Sequence, residues 1–158
     1  VDIVLYQPEI PQNTGSIGRT CVALGAKLWL VRPTGFRLDA QSLRRAGMDY
    51  WQHLSWEAVD DWQHLQQQLD LQQAWLITTA GQRPYWAAPL AAHRPVLVFG
   101  SESAGVPESI HAQFGPRRLR IPMAAAARSL NLAVSVGVVA YEAARQMRQG
   151  GAASCAAQ

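Results

Sequence analysis

GSESAGVPESI (Gly100 to Ile110), followed further on by IPMAAAARSLNLAVSVGVVAYEAARQ (Ile121 to Gln146), is the stretch that decides the fold. In each half a backbone-rich loop sits beside an apolar element, which suggests a site for a nucleotide-like ligand. Neither common phosphate motif is present: no G-x-G-x-x-G follows the first apolar run, and no G-x-x-x-x-G-K-[ST] occurs. A different nucleotide fold is needed.

Working outward, short apolar runs bounded by turn residues recur at Ile3–Tyr6, Leu28–Val31, Trp75–Thr78, Val96–Phe99 and Leu119–Ile121, and their length predicts strands. Helical patterns lie between them at Thr14–Leu24, Ser42–Gly47, Ser55–Leu69, Pro107–Phe114 and Ser129–Met147. Alternating strands and helices predict an α/β fold, a single domain whose mainly parallel sheet is flanked by helices on both faces. The proline-rich segment from Gly81 to Pro95 reads as a surface connection. The domain is expected to span residues 1–149, with 150–158 a disordered C-terminal tail. No internal repeat or dividing linker is visible.

The chain has 158 residues, 49% of them hydrophobic and 16% charged, enough for one well-buried domain. No apolar run approaches the roughly 20 residues of a membrane span, so no membrane partner is expected. The opening VDIVLYQPEI lacks the basic front and apolar centre of a secretory signal and reads as the first strand of a cytoplasmic protein. Cys21 and Cys155, the two cysteines, have neither CxxC nor His partner spacing, which predicts neither a disulfide nor a zinc site. The net charge is +3, and Lys27 is the single lysine among 14 cations. Arginine forks suit bidentate phosphate contacts, which makes an anionic polymer a candidate partner, although codon bias would give the same composition. The local clusters are more informative: Arg37, Arg44 and Arg45 in one segment, Arg117, Arg118 and Arg120 in another.

Three segments can carry chemistry. In PEIPQNTGSIGRTCVALG (Pro8 to Gly25), Asn13 or Thr14 is expected to cap a helix beginning near Gly15, with Arg19 on an early turn. Both Asn13 and Arg19 would then face the carboxyl ends of the parallel strands, where ligands bind in open α/β sheets. The competing reading is a plain cap and a solvated charge. In Gly100–Gly105 the glycines permit backbone shapes that expose amides to a ligand. Glu102, the one acid between them, can bind a ribose hydroxyl, order neighbouring loops, or cap the helix near Pro107. In the third segment Ser129 is expected to cap the last helix, leaving Asn131 free to reach outward. That helix is apolar nearly all round, with Gly137, Ala140 and Ala144 as a smooth stripe, and is buried either in a symmetric dimer or in its own core. His53, His64, His93 and His111 lack metal-ligand spacing. Trp51, Trp56 and Trp62 can either pack or stack on bases.

With these residues in view the chain resembles the SPOUT superfamily of RNA methyltransferases. Asn13-x-Gly15-x-x-x-Arg19, Gly100-x-Glu102-x-x-Gly105-Val106-Pro107 and Ile121-Pro122-Met123 followed by Ser129-Leu130-Asn131-Leu132 match its three motifs in order. The opening DIVLYQPEIPQNTG and the block GFRLDAQSLRRAGMDYW (Gly35 to Trp51) look like the small one-domain tRNA wobble-nucleotide 2′-O-methyltransferases of that superfamily.

The resemblance implies an α/β domain with a deep C-terminal trefoil knot, a feature periodicity cannot reveal because threaded connections are nearly absent from proteins. It implies S-adenosylmethionine as cofactor, leaving as S-adenosylhomocysteine, bound by Ile77, Gly100, Ile121, Ser129 and Leu130. It implies methylation of the ribose 2′-oxygen at the wobble nucleotide, position 34, cytidine or modified uridine. Arg19 is the implied catalytic residue, with Ser129, Asn131 and Glu102 in support and no metal. Asn13, Arg19, Arg37, Arg44 and Arg45 would contact the tRNA anticodon stem-loop. A homodimer is implied, with Tyr141 at its interface. Close relatives often carry Ser-Asn at Ala133-Val134, arginine at Ala104 and lysine at Ala80. Two other readings stay open: a methyltransferase acting on ribosomal RNA, favoured less because no added RNA-binding domain is seen, and a non-catalytic RNA-binding protein of the same fold.

Overall fold

Two buried apolar runs of the chain, Ile3–Leu5 and Val96–Phe99, lie side by side in the sheet interior, where both faces of a strand must be covered. A computed structural model describes residues 1–38, 51–91 and 94–155. Its strands are β1 (Asp2–Tyr6), β2 (Lys27–Val31), β3 (Trp56–Val59), β4 (Trp75–Ile77), β5 (Arg83–Pro84), β6 (Val96–Phe99) and β7 (Arg118–Arg120). They form one sheet in the order β3-β2-β1-β6-β4-β7-β5, every pair parallel. The helices among the described residues are α1 (Pro11–Leu24), α2 (Trp62–Gln68), α3 (Glu108–Phe114) and α4 (Leu132–Cys155). None is long and apolar enough to cross a membrane.

Strand alternation sorts the core into two layers. Ile3, Leu5, Leu28, Leu30, Leu97 and Phe99 point to the side covered by Ile17 and Cys21 of α1 and by Val136, Val139 and Ala143 of α4. Val4, Trp29, Val31, Val96 and Val98 point the other way, onto Trp62 and Leu65 of α2 and Ile110 and Phe114 of α3. Each such side chain contributes about 1.5–3 kcal/mol through removal from water.

The expected parallel α/β architecture is present, with local corrections: the Gly81–Pro95 segment, read as a surface connection, holds edge strand β5 and buries Ala88 and Leu90. Ser55–Leu69, read as one helix, is strand β3 followed by α2, because Asp61 takes extended backbone and its side chain caps α2 by accepting from His64 N at 2.8 Å. Trp56–Val59 is then free to pair with Leu28–Val31 at the sheet edge. The last helix, expected over Ser129–Met147, runs from Leu132 to Cys155. The expected helix at Ser42–Gly47 lies outside the described residues. Trp51, Trp56 and Trp62 pack: Trp51 lies against Trp56 with ring centroids 5.0 Å apart, and Trp62 is buried against Phe114 and Tyr6.

Candidate functional site

From β1 the chain builds outward through β2 and β3, then returns to the other side of β1 with β4, β6 and β7. Such a reversal opens a crevice at the carboxyl ends of the strands. The loops following β4, β6 and β7 converge there around a cavity of about 620 Å3. Its wall includes Thr78 and Thr79 from the first loop, Gly100–Gly105 from the second, and Ile121, Met123 and residues 128–131 from the third.

Backbone geometry shapes the walls. Ser101 and Gly105 exchange two amide bonds of 3.0 Å, closing the second loop into a tight turn with Gly105 at φ 68°. A Cβ at Gly100 would fall within the Gly105 backbone, so only glycine fits. The first loop turns through Gly81 N donating to Thr78 O at 3.1 Å, and Gly81 lies so close to the Leu119–Arg120 backbone that it too has no room for a side chain.

Helix α1 starts at Pro11, earlier than expected, with Ile10 as a cap residue whose side chain makes no cap bond. Proline suits this first position. The acceptor comes from across the crevice: Glu102 takes Glu9 N at 2.8 Å and Ile10 N at 3.3 Å, and its Oε1 takes Asn13 Nδ2 at 2.9 Å. A carboxylate at a helix N-terminus is favoured by the orphan amides and the helix dipole. Glu102 therefore caps α1 and orders two loops, rather than capping α3. Asn13, expected as a cap, is instead a nearly buried first-turn residue in this network.

The network continues into α4. Asn131 Nδ2 donates to Asn13 Oδ1 at 2.9 Å, while Asn131 Oδ1 accepts Ala133 N at 2.9 Å and Val134 N at 3.3 Å. Asn131, not Ser129, is the cap of the last helix, because it stands directly before Leu132 and its amide is held in place by Asn13. Its side chain is thus engaged within the protein instead of reaching outward, and Ser129 is left exposed on the cavity wall.

The five residues expected to hold a cofactor, Ile77, Gly100, Ile121, Ser129 and Leu130, all line this one cavity, as do Asn13, Glu102 and Asn131. Arg19 lies on the exposed face of α1 and is not among the lining residues. Arg37 is exposed in the segment after β2, and Arg44 and Arg45 lie outside the described residues. Tyr141 is 55% exposed on the outer face of α4, with Val134 also outward. The small-residue stripe divides: Ala140 is buried in the protomer's own core, and a Cβ on Gly137 would meet open space.

Sequence reasoning missed Glu9, Ser103 and Arg128. Glu9 Oε1 accepts Ser103 Oγ at 2.6 Å and its Oε2 accepts Ser103 N at 2.9 Å, so Glu9 and Glu102 clasp the two loops reciprocally. The only signal was an acid just before a proline-started helix. Arg128 lines the cavity and forms no ion pair among the described residues. Buried Cys21, on the core-facing side of α1, has its thiol pushed up to about 12 by desolvation.

Comparison with known proteins agrees with this geometry. The tRNA (cytidine(34)-2′-O)-methyltransferase of Methylovorus glucosotrophus strain SIP3-4 is 43% identical over 146 residues, covering 92% of this chain and 94% of its own. A solved structure described as giving insights into the 2-OH methylation of C/U34 on tRNA superposes with a TM-score of 0.83 at 44% identity, over 94% of this chain and 96% of that one. An AdoMet-bound rRNA methyltransferase from Sinorhizobium meliloti superposes with a TM-score of 0.80 at 29% identity, over 92% of this chain and 56% of that one. The model of the SpoU rRNA methylase family matches residues 1–141, the span that contains all three cavity loops and the Asn13–Glu102–Asn131 network, and the chain belongs to that family.

Proposed function

We propose that this protein methylates the ribose 2′-oxygen of the wobble nucleotide, position 34, in tRNA anticodons, using S-adenosylmethionine. The observation that carries the reading is the single cavity at the ends of β4, β6 and β7, which gathers every expected cofactor residue, in a chain similar over nearly its whole length to a tRNA (cytidine(34)-2′-O)-methyltransferase. The walls fit the group: Gly100, with no room for a Cβ, and Gly105, at positive φ, leave backbone amides and carbonyls for adenine and ribose, and the volume lies in the range for cofactor-sized ligands. Ile77, Gly100, Ile121, Ser129 and Leu130 would hold it. When bound, it supplies an electrophilic sulfonium methyl.

The protein's part is to bring a ribose hydroxyl to the cavity and favour its oxygen as nucleophile, the hydroxyl proton leaving to solvent as the methyl is transferred. Arg19 acts as a fixed planar cation, binding the neighbouring phosphate and stabilising negative charge on the oxygen. Glu102 and Asn131 are positioning residues, because their side chains are engaged with α1, Asn13 and α4. Ser129, exposed on the wall, orients the ribose. Arg19 lies outside the cavity lining, which favours a homodimer in which the exposed apolar face of α4, with Val134 and Tyr141, meets a second copy. Arg37, Arg44 and Arg45 serve as phosphate contacts to the anticodon stem-loop. We also propose a trefoil knot through the cavity loops, a cytoplasmic location, and turnover that persists in EDTA.

The test is transfer of labelled methyl from S-adenosylmethionine to tRNA lacking this modification, followed by nuclease mapping. Label at the 2′-oxygen of position 34 supports the reading. Label confined to ribosomal RNA, or cofactor binding without transfer, overturns it.

A further inference from the structure

The charges are unevenly divided across the sheet. No aspartate or glutamate occurs between Asp70 and Glu102, nor between Glu108 and Glu142, and these two stretches supply β4, β5, β6 and β7. Towards β1, β2 and β3 the cations are matched: Lys27 with Glu57 at 2.8 Å, Arg32 with Asp60 at 2.9 Å and Arg94 with Asp2 at 2.6 Å. At the opposite edge, Arg83, Arg120 and Arg128 form no ion pair among the described residues. Arg117 and Arg118 belong to the same edge, but their guanidiniums donate to backbone carbonyls and are held inward.

The same edge carries an aromatic platform. Edge strand β5 pairs Pro84 with Arg120 and leads straight into a single 3₁₀ turn, Tyr85–Ala87. Tyr85 packs on the core and braces Trp86, the ring centroids 5.0 Å apart in an edge-to-face arrangement. Trp86 is 54% exposed, unusual for so large an apolar ring in a turn that is otherwise fixed. The turn is pinned by Gln146 of α4, which donates to Ala88 O at 3.1 Å and accepts Leu90 N at 2.8 Å. Arg120 is followed directly by Ile121 of the cavity wall, and β5 lies one strand spacing, about 5 Å, from β7.

We propose that the β7–β5 edge is a binding surface for single-stranded RNA, with Trp86 stacking a base and Arg83 and Arg120 holding phosphates of the strand that runs away from the cavity. This inference rests on the RNA-methyltransferase reading, and it adds a surface on the far side of the cavity from Arg37. A braced exposed ring beside arginines that form no ion pair among the described residues, the Arg83 guanidinium resting 5.9 Å over the Trp75 ring, fits a polymer that offers base faces and phosphates together. A protein partner would not require acid-free flanks.

The test compares the parent with Trp86→Ala, Trp86→Phe and the double variant Arg83→Gln/Arg120→Gln. Readouts are fluorescence anisotropy of an anticodon stem-loop RNA across a salt series, methyl transfer to tRNA, S-adenosylmethionine affinity and solution mass. Expected are a 5- to 20-fold loss of RNA affinity in Trp86→Ala, recovery in Trp86→Phe, and a salt slope shallower by about 1.4 in the double variant, two phosphate contacts being lost. KM for tRNA should rise with cofactor affinity unchanged. RNA affinity and salt slope equal to the parent's would overturn the proposal, as would a change of solution mass in Trp86→Ala, which would assign the ring to a subunit interface. If the parent binds RNA through this edge yet transfers no methyl, the enzyme reading fails and the surface stands. If the parent methylates tRNA and the variants match it, the surface fails and the enzyme reading stands.

Discussion

Asn13 and Asn131, 118 positions apart in the chain, are joined by a 2.9 Å side-chain hydrogen bond in the lining of the cavity. Through it the start of α1 and the start of α4 share one network with Glu102. Asn131→Asp keeps the cap oxygens but loses the donor to Asn13, whereas Asn131→Ala loses both. Asn131→Ala is therefore expected to cost about 1–2 kcal/mol of stability, the Asp variant less. Urea denaturation of the two variants checks the order, and the reverse ranking would rule out the cap assignment.

Glu9 and Ser103 make a second tie between the same loops, through two oxygens and two donors. Ser103→Ala removes the 2.6 Å hydroxyl bond and keeps the amide bond, and Glu9→Ala removes both. A double-mutant cycle on thermal stability should return a coupling of about 1 kcal/mol. Cofactor affinity should fall several-fold in Glu9→Ala because the 100–105 wall loses its support. Additive effects would show that the tie is incidental.

Much of this was legible beforehand for a clear reason. Apolar runs such as VLVF at Val96–Phe99 are buried on both faces, so composition alone marks them, and loops after such strands in a parallel sheet fall at one end. What was not legible depended on long-range partners. Glu102 and the Glu9–Ile10 backbone are remote in sequence, so nothing local says that the carboxylate caps α1. Ser129 and Asn131 are both good caps, and the start of the helix at Leu132 together with the bond to Asn13 decides between them. At Ser55–Leu69 a helical pattern concealed β3, because an edge strand half covered by Trp51 carries no clear alternation.

Gly100 provides a steric test of the cavity. Alanine there would place its Cβ within the backbone of Gly105 and force the 100–105 loop outward. Gly100→Ala is expected to weaken S-adenosylmethionine binding at least tenfold by calorimetry while the rest of the fold stays intact by circular dichroism. Parent-like binding would mean that this loop does not form the cofactor wall.

Arg19 stands apart from the cavity lining, which separates its role from that of the cofactor residues. Arg19→Ala should leave S-adenosylmethionine affinity within about twofold yet lower kcat/KM for tRNA at least a hundredfold, roughly 2.7 kcal/mol of transition-state stabilisation. Arg19→Lys should recover only part of this, since lysine keeps the charge and loses the planar fork. An equal loss of cofactor affinity would instead place Arg19 in the cofactor site.

Cys21 gives a prediction for alkaline pH. The thiol is buried on the core-facing side of α1, and desolvation pushes it up to about 12. In the unfolded chain it ionises in the ordinary thiol range near 8.5. Between these values the unfolded state has released a proton that the folded state retains, so stability must fall as pH rises. The contribution is intact below the unfolded value and is lost progressively from about pH 9 towards 12. Two measurements follow. Native protein at pH 8 should react with a thiol reagent at Cys21 only as fast as it opens globally, since neither access nor thiolate is available in the folded state. Cys21→Ala should show a shallower loss of stability between pH 9 and 11 than the parent, even though the smaller side chain lowers stability at pH 7. Parallel stability curves for the two proteins across that range would mean that Cys21 does not titrate on unfolding as its burial requires.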